Sequence, residues 1–210
     1  MRVHVRWVGV VAVLALLGGC AGQYVGQPLN WYRAHGGIAP AGNRIFVCHA
    51  FGCSIRTPVT IGAADRAGVA RIMEAGAGSP AAERQAIARA IAWFERRVAP
   101  TVGSGGDVGG LDIANSGVPG QMDCIDESTN TTSYLLLMQS WGVLRHHTVA
   151  SPVARGFFLD GRYPHATAVV VDDATRKPWA IDSWPHANGI KPDVMTLQRW
   201  FASYPWRDDD

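Results

Sequence analysis

Charge is scarce in this chain. Of its 210 residues 17% are charged, only two are lysines (Lys177 and Lys191), and the formal net charge is +2 at pH 7. That excludes the concentrated basic face on which nucleic-acid binding depends. Long hydrophobic runs are missing too. The one extended apolar stretch, Trp7 to Leu17, has eleven residues, against about 20 for a helix that spans a bilayer, which disfavours a permanent transmembrane anchor. Four cysteines are too few for a scaffold built of disulfides. There is no internal repeat, and no glycine motif of the nucleotide-binding type stands at a strand-to-helix turn. What is plentiful is apolar residues at 48%, with 24 glycines and 12 prolines, the composition of a folded domain with many turns.

Residues 1–19 carry Arg2 and Arg6, then the apolar run, then Gly18 and Gly19 ahead of Cys20, the order of an export signal. Leu17-Gly18-Gly19-Cys20 resembles a bacterial lipobox, in which the signal is cut before the cysteine and the thiol receives a diacylglyceryl group. A plain secretory signal cut further on is the alternative. The lipobox reading makes residues 20–43 a lipidated Cys20 followed by a tether and irregular lead-in, with the folded domain over 44–210. The membrane is then met through lipid, because loss of Arg2 and Arg6 leaves acidic and basic residues balanced. The place this implies is the bacterial cell envelope, facing the periplasm, and Ala21 leans toward the outer membrane.

Arg44 to Val47 suits a short strand. It leads into Cys48-His49-Ala50-Phe51-Gly52-Cys53, where two cysteines five apart in an exported chain read first as a small-loop disulfide. Free thiols and a metal site are the alternatives, and His49 is the one further ligand offered locally. Helices are expected over Ala63–Ala75 and from the Ser79 cap and Pro80 to Pro100, the second with Ile87, Ile91, Phe94 and Val98 on one core face. Thr101 to Gly120 is a Gly-rich loop. Ser128 to Trp141 is a buried helix that ends at Gly142. Short runs suited to strands follow at Val143–Ala150, Val153–Leu159, His165–Val171 and Trp179–Ser183, then a last helix over Asp193–Phe201 and a frayed acidic end at Asp208–Asp210. Helices followed by an antiparallel meander indicate an α+β domain.

The residues that could carry chemistry begin with Cys124, where the Gly-rich loop enters the buried helix. Helix N–H groups and the positive dipole end favour a thiolate there and can hold an oxyanion opposite it, whereas Asp123, Asp126 and Glu127 act against a thiolate. An inert buried thiol is the ordinary alternative. Gln121 is a candidate side-chain donor to the oxyanion. The base follows from register: a hairpin turn centred between Asp173 and Ala174 puts His165 directly opposite Asp182 on one face. The other face then holds Ala166, Ala168, Val170, Trp179 and Ile181. An aspartate beside a histidine fixes its tautomer and stabilises the imidazolium. His186 is the rival base. His146 and His147 point to opposite faces of a strand, one buried and one exposed, and so share no metal. His35 and His49 have no carboxylate partner nearby in sequence.

Cys124 at a helix start, the Leu-rich helix, Gly142, the strands, then Pro164-His165-Ala166-Thr167-Ala168-Val169 and Pro178-Trp179-Ala180-Ile181-Asp182-Ser183-Trp184 together resemble the transglutaminase-like cysteine hydrolase superfamily. Within it the chain resembles bacterial transglutaminase-like cysteine proteinases, periplasmic enzymes included. The spacing of the three candidate residues and the helix carrying Glu83 and Arg84, with Asp107 or Asp112 before the Cys loop, are similar to that group. The resemblance implies a papain-like α+β single domain with helices packed on an antiparallel sheet. It also implies a nucleophile at Cys124, a base at His165 and an orienting carboxylate at Asp182. The implied chemistry is thiol attack on a peptide or side-chain amide of a protein or peptide substrate, as protease, amidase or acyl transferase. No cofactor is expected, although some periplasmic relatives use calcium near the Cys helix, where Asp123 or Asp126 would offer oxygens; solvated helix-start carboxylates are the alternative. The chain departs from the family at Ala166-Thr167-Ala168 and at Ser128, where aromatics are commoner, which leaves the substrate class open. A non-catalytic lipoprotein that uses the same fold for binding or envelope organisation is the second functional reading.

Overall fold

The computed structural model describes residues 26–156 and 164–203. The export signal, Cys20 and the acidic end at 208–210 lie outside the described residues, as does the C-terminal part of the run expected over Val153–Leu159. In chain order the elements are α1 (Pro28–Ala34), β1 (Arg44–His49), β2 (Ile55–Thr60), α2 (Ala63–Glu74), α3 (Pro80–Val102), α4 (Cys124–Ser140), β3 (His147–Arg155), β4 (His165–Asp172), β5 (Pro178–Asp182), β6 (Asp193–Thr196) and α5 (Leu197–Ala202). Between α3 and α4 the Gly-rich loop is interrupted by two short 3-10 turns, Ser104–Gly106 and Ile113–Asn115. Among the described residues no helix is long and apolar enough to cross a membrane.

The architecture is α+β. Strands β3-β4-β5-β6 form an antiparallel meander and β1-β2 a separate antiparallel pair. On one face of the meander Ala168, Val170 and Ile181 join the main core with Ile87, Ile91, Phe94 and Val98 of α3 and Tyr134, Leu135, Leu137 and Met138 of α4. The Phe94 and Tyr134 rings stack there at 4.8 Å. On the other face Val169, Val171 and Ala180 are covered by Leu197 and Trp200 of α5. Strand β4 is therefore buried along its whole length, which explains the apolar run from Ala168 to Val171.

Several elements differ from expectation for local reasons. Two expected strands after Gly142 are one, β3, whose pairing with β4 breaks between Ala150 and Val153, where Pro152 has no N–H to give to a ladder. Asp193–Thr196 is strand, not helix, and the Thr196 hydroxyl accepts from Arg199 N–H to start α5 only there. Helix α3 continues past Pro100 to a left-handed cap at Gly103, because a proline in the last turn forfeits a single bond. Strand β2 carries Pro58 opposite Phe46, which an edge strand tolerates. Within the lead-in, Pro28–Ala34 is a helix that buries Trp31 and Tyr32, the latter bonded to Ser133 of α4 at 2.7 Å.

Candidate active site

The nucleophile candidate opens α4. Asp123 caps the helix by accepting from the amides of Ile125 and Asp126, and Asp126 closes a capping box. The Glu127 amide goes to the Asp123 carbonyl. Among the described residues the Cys124 N–H is thus the first-turn amide that meets no backbone or carboxylate acceptor, only its own thiol, and can turn to a ligand oxygen. Cys124 is a free thiol, buried with Trp31, Ala166 and Trp184. Its sulfur sits 3.8 Å from the Pro164 carbonyl, and the Ala166 N–H also acts on it.

Those two contacts bracket His165, the first residue of β4. The β4-β5 pairing sets Val171 against Pro178 and Ala168 against Ile181, one step later in the turn than the register read from sequence. The turn is longer because the Asp172 carboxylate takes the amides of Ala174 and Thr175 while Arg176 adopts φ 58°. The pairing partner of each residue thereby moves by two positions, which preserves the face. His165 and Asp182 are consequently diagonal neighbours, not directly opposite, and His165 Nε2 lies 2.7 Å from Asp182 Oδ2. The same oxygen accepts from Trp200 Nε1 at 2.7 Å. A carboxylate oxygen that accepts from both takes a proton from Nε2, so that in the neutral ring Nδ1 is the nitrogen with the lone pair. His165 Nδ1 is buried without a hydrogen-bond partner, as is Asp182 Oδ1. Trp184 and Trp200 lie 4.5 and 5.3 Å from the imidazole, ring to ring. No hydrogen bond joins His165 to the Cys124 thiol among the described residues.

Burial pushes the Cys124 thiol up to about 12, with the charges of Asp123 and Asp182 acting in the same direction against the amides of Ala166 and Cys124. The helix start was expected to favour a thiolate; burial and the neighbouring carboxylates outweigh it. His186, the rival base, pairs instead with Asp193 at 3.0 Å, which raises its pKa. Gln121 spends its amide on the loop. Its Nε2 donates to the Gly106 carbonyl at 3.0 Å, its Oε1 accepts from Val108 N–H and Asn115, and none of its hydrogen bonds goes to Cys124.

Cys48 and Cys53 form a disulfide. Cys48, Cys53 and Asp126 are the one set of metal-type ligands gathered among the described residues, and the two sulfurs are consumed in that bond. All four oxygens of Asp123 and Asp126 face backbone amides, at residues 51–53 and at the helix start. They do not fit a calcium site, which needs those lone pairs. His49 accepts from Gly120 N–H at 3.0 Å and meets Thr57 at 2.8 Å. His146 is half-buried, not exposed, against the Ala77 carbonyl, whereas His147 is buried on Glu83.

Beside the site three buried carboxylates come together, a grouping that sequence reasoning missed. Glu95 accepts from Gly189 N–H, Asp107 from Met122 N–H and Glu127 from the Ser183 hydroxyl. These bonds tie the loop after Asp182 to α3 and α4 and close the loop before Cys124 on itself. Burial raises all three pKa values, Asp107 to about 7 and Glu95 to about 8. A cavity of about 510 Å³ between α1, the end of α4 and β3 contains none of the candidate residues. No family model matches the chain, and no curated protein or solved structure matches it either.

Proposed function

We propose that the protein is a cysteine hydrolase of the transglutaminase-like superfamily, tethered in the bacterial envelope by lipid on Cys20 and facing the periplasm, that attacks a peptide or side-chain amide of a protein substrate. One observation carries this reading. A buried histidine is bonded through one nitrogen to a carboxylate, has its other nitrogen free, and lies between two residues that touch the thiol at a helix N-terminus. Because the resting thiol is protonated, His165 acts as a base during attack and not as the partner of a standing thiolate. Sγ bonds to the amide carbon while its proton passes to Nδ1. The oxyanion is met by the Cys124 N–H, the C–N bond then breaks, and the amine departs with the imidazolium proton. Water attacks the resulting thioester, His165 taking its proton, and an amine in the place of water makes the reaction a transamidation.

Buried, protonated and bonded to a carbonyl, Cys124 also fits an inert thiol in a binding module of the same fold. Labelling with iodoacetamide, read at Cys124 by peptide mass spectrometry, separates the two. The enzyme reading expects His165→Ala to slow alkylation about tenfold at pH 7 through loss of the base. Equal, slow labelling in wild type and variant sinks it.

A further inference from the structure

Residues 50–53 all lie in the left-handed region: Ala50 at φ 67°, Phe51 at 68°, Gly52 at 62° and Cys53 at 56°. Three of the four are not glycine, and each such residue costs about 1–2 kcal/mol there. A turn of this kind persists only where its surroundings over-determine it. Here the Cys48–Cys53 disulfide closes it, and Asn130 of α4 holds both the N–H and the carbonyl of Cys48.

In a helical turn of either hand the first amides find no acceptor inside the turn and point the same way. In this one Phe51 and Cys53 donate to the two oxygens of Asp126, at 2.8 and 2.6 Å, and Gly52 donates to Asp123 at 3.0 Å. The Ala50 amide holds the Gln121 carbonyl at 2.7 Å. Asp123 and Asp126 stand on either side of Cys124 in the chain. The two carboxylates are therefore held between the amides of α4 and those of a second, left-handed helical turn.

We propose that the disulfide-closed turn is a positioning device for the nucleophile, an amide cradle that holds Asp123 and Asp126 in place and draws the charge of Asp123 away from the Cys124 thiol. The proposal rests on Cys124 being the nucleophile. Backbone amides that converge on an anion stabilise its charge, and Asp123 is the carboxylate that most opposes ionisation of this thiol. Without the disulfide, residues 50, 51 and 53 return to right-handed backbone, and the amides of Phe51, Gly52 and Cys53 leave the carboxylates.

The test is the pH profile of Cys124 alkylation by iodoacetamide in the full chain. Cys48→Ser/Cys53→Ser is expected to move the midpoint up by about one pH unit, a roughly tenfold slowing below it. Adding Asp123→Asn, which still caps the helix, restores most of that loss, whereas in the disulfide-intact protein it accelerates labelling only about twofold. A second measurement keeps the wild-type chain: brief phosphine reduction in the cold, followed at once by alkylation, slows Cys124 in molecules whose Cys48 and Cys53 are also labelled. The proposal is overturned by an unmoved midpoint, by Asp123→Asn acting equally in both backgrounds, or by reduced and oxidised molecules labelling alike. Failure of the nucleophile reading looks different, as equal slow labelling of wild type and His165→Ala, and removes the proposal with it.

Discussion

Trp200 and His165 donate to the same atom: the indole N–H and the imidazole Nε2 each lie 2.7 Å from Asp182 Oδ2. Trp200 is fully buried, Arg155 lies over its ring at 4.3 Å, and Arg155 also bonds its carbonyl. The last described helix thus holds the carboxylate that meets His165, the base of the proposed reaction. Trp200→Phe keeps an aromatic ring but removes the donor. It should cost about 1.5–3 kcal/mol in urea denaturation, the range for a hydrogen bond to a charged group. It should also lower kcat about tenfold at an unchanged KM; a matching rise in KM would mean that Trp200 holds the substrate cleft and not Asp182.

At the other end of the sheet, Glu83 accepts from the amides of Arg145 and His146 and from His147 Nδ1 at 2.7 Å. Arg84 meets the other nitrogen of that histidine at 3.1 Å, so the Nδ1 proton is the one that faces Glu83. Burial works against a charged Glu83, but these three donors outweigh it and hold its pKa below the usual value. A lowered carboxyl pKa contributes stability that is present above the unfolded value and is lost as pH falls through the folded one. Glu83→Gln should cost about 2–3 kcal/mol at pH 7, and the deficit should shrink below about pH 4. A deficit unchanged with pH in denaturant titrations would contradict this.

Glu95 has the opposite sign. Burial lifts it to about 8, Asp107 adds repulsion, and the Gly189 amide, Arg96 and His186 only partly compensate. A raised carboxyl is most stabilising when protonated, so stability is lost as pH climbs from the usual carboxylate range, about 4, toward the folded value. Glu95→Gln, which cannot ionise, should melt about 2–4 °C above wild type at pH 8.5 and no higher at pH 4.5. Calorimetry at the two pH values checks it, and an equal difference at both would refute the assignment.

What sequence makes legible here is what depends on near neighbours. Cys124 stands at a junction of Gly-rich loop and Leu-rich helix, both local signals. His165 and Asp182 share a face because strand alternation survives an error of two in register, although it would not survive an error of one. The error itself came from Asp172, whose side chain builds a longer turn than the residue types suggest. Trp200 left no such mark, since its bond to Asp182 depends on where α5 docks after β6. The grouping of Glu95, Asp107 and Glu127 was equally hidden, because only the packed loops bring these three carboxylates near one another. Pro58 and the lead-in glycines disguised β2 and α1, which the neighbouring β1 and α4 stabilise.

Helix α4 is largely buried from Cys124 to Met138, by two different means. Its first half, from Ser128 to Ser133, is polar and held by directed bonds such as those of Asn130 with Cys48, Thr129 with Trp31 and Thr131 with Ser183. Its second half, from Tyr134 to Met138, is held by packing. Shape can be satisfied by many side chains of similar volume, whereas a buried bond pattern admits few substitutes. Tolerance to substitution should therefore be steeply graded along one helix, generous near Leu137 and nearly nil near Asn130. In a library drawn from this chain the surviving variants would differ at the end of α4 that is remote from the thiol and agree at the end that bears it.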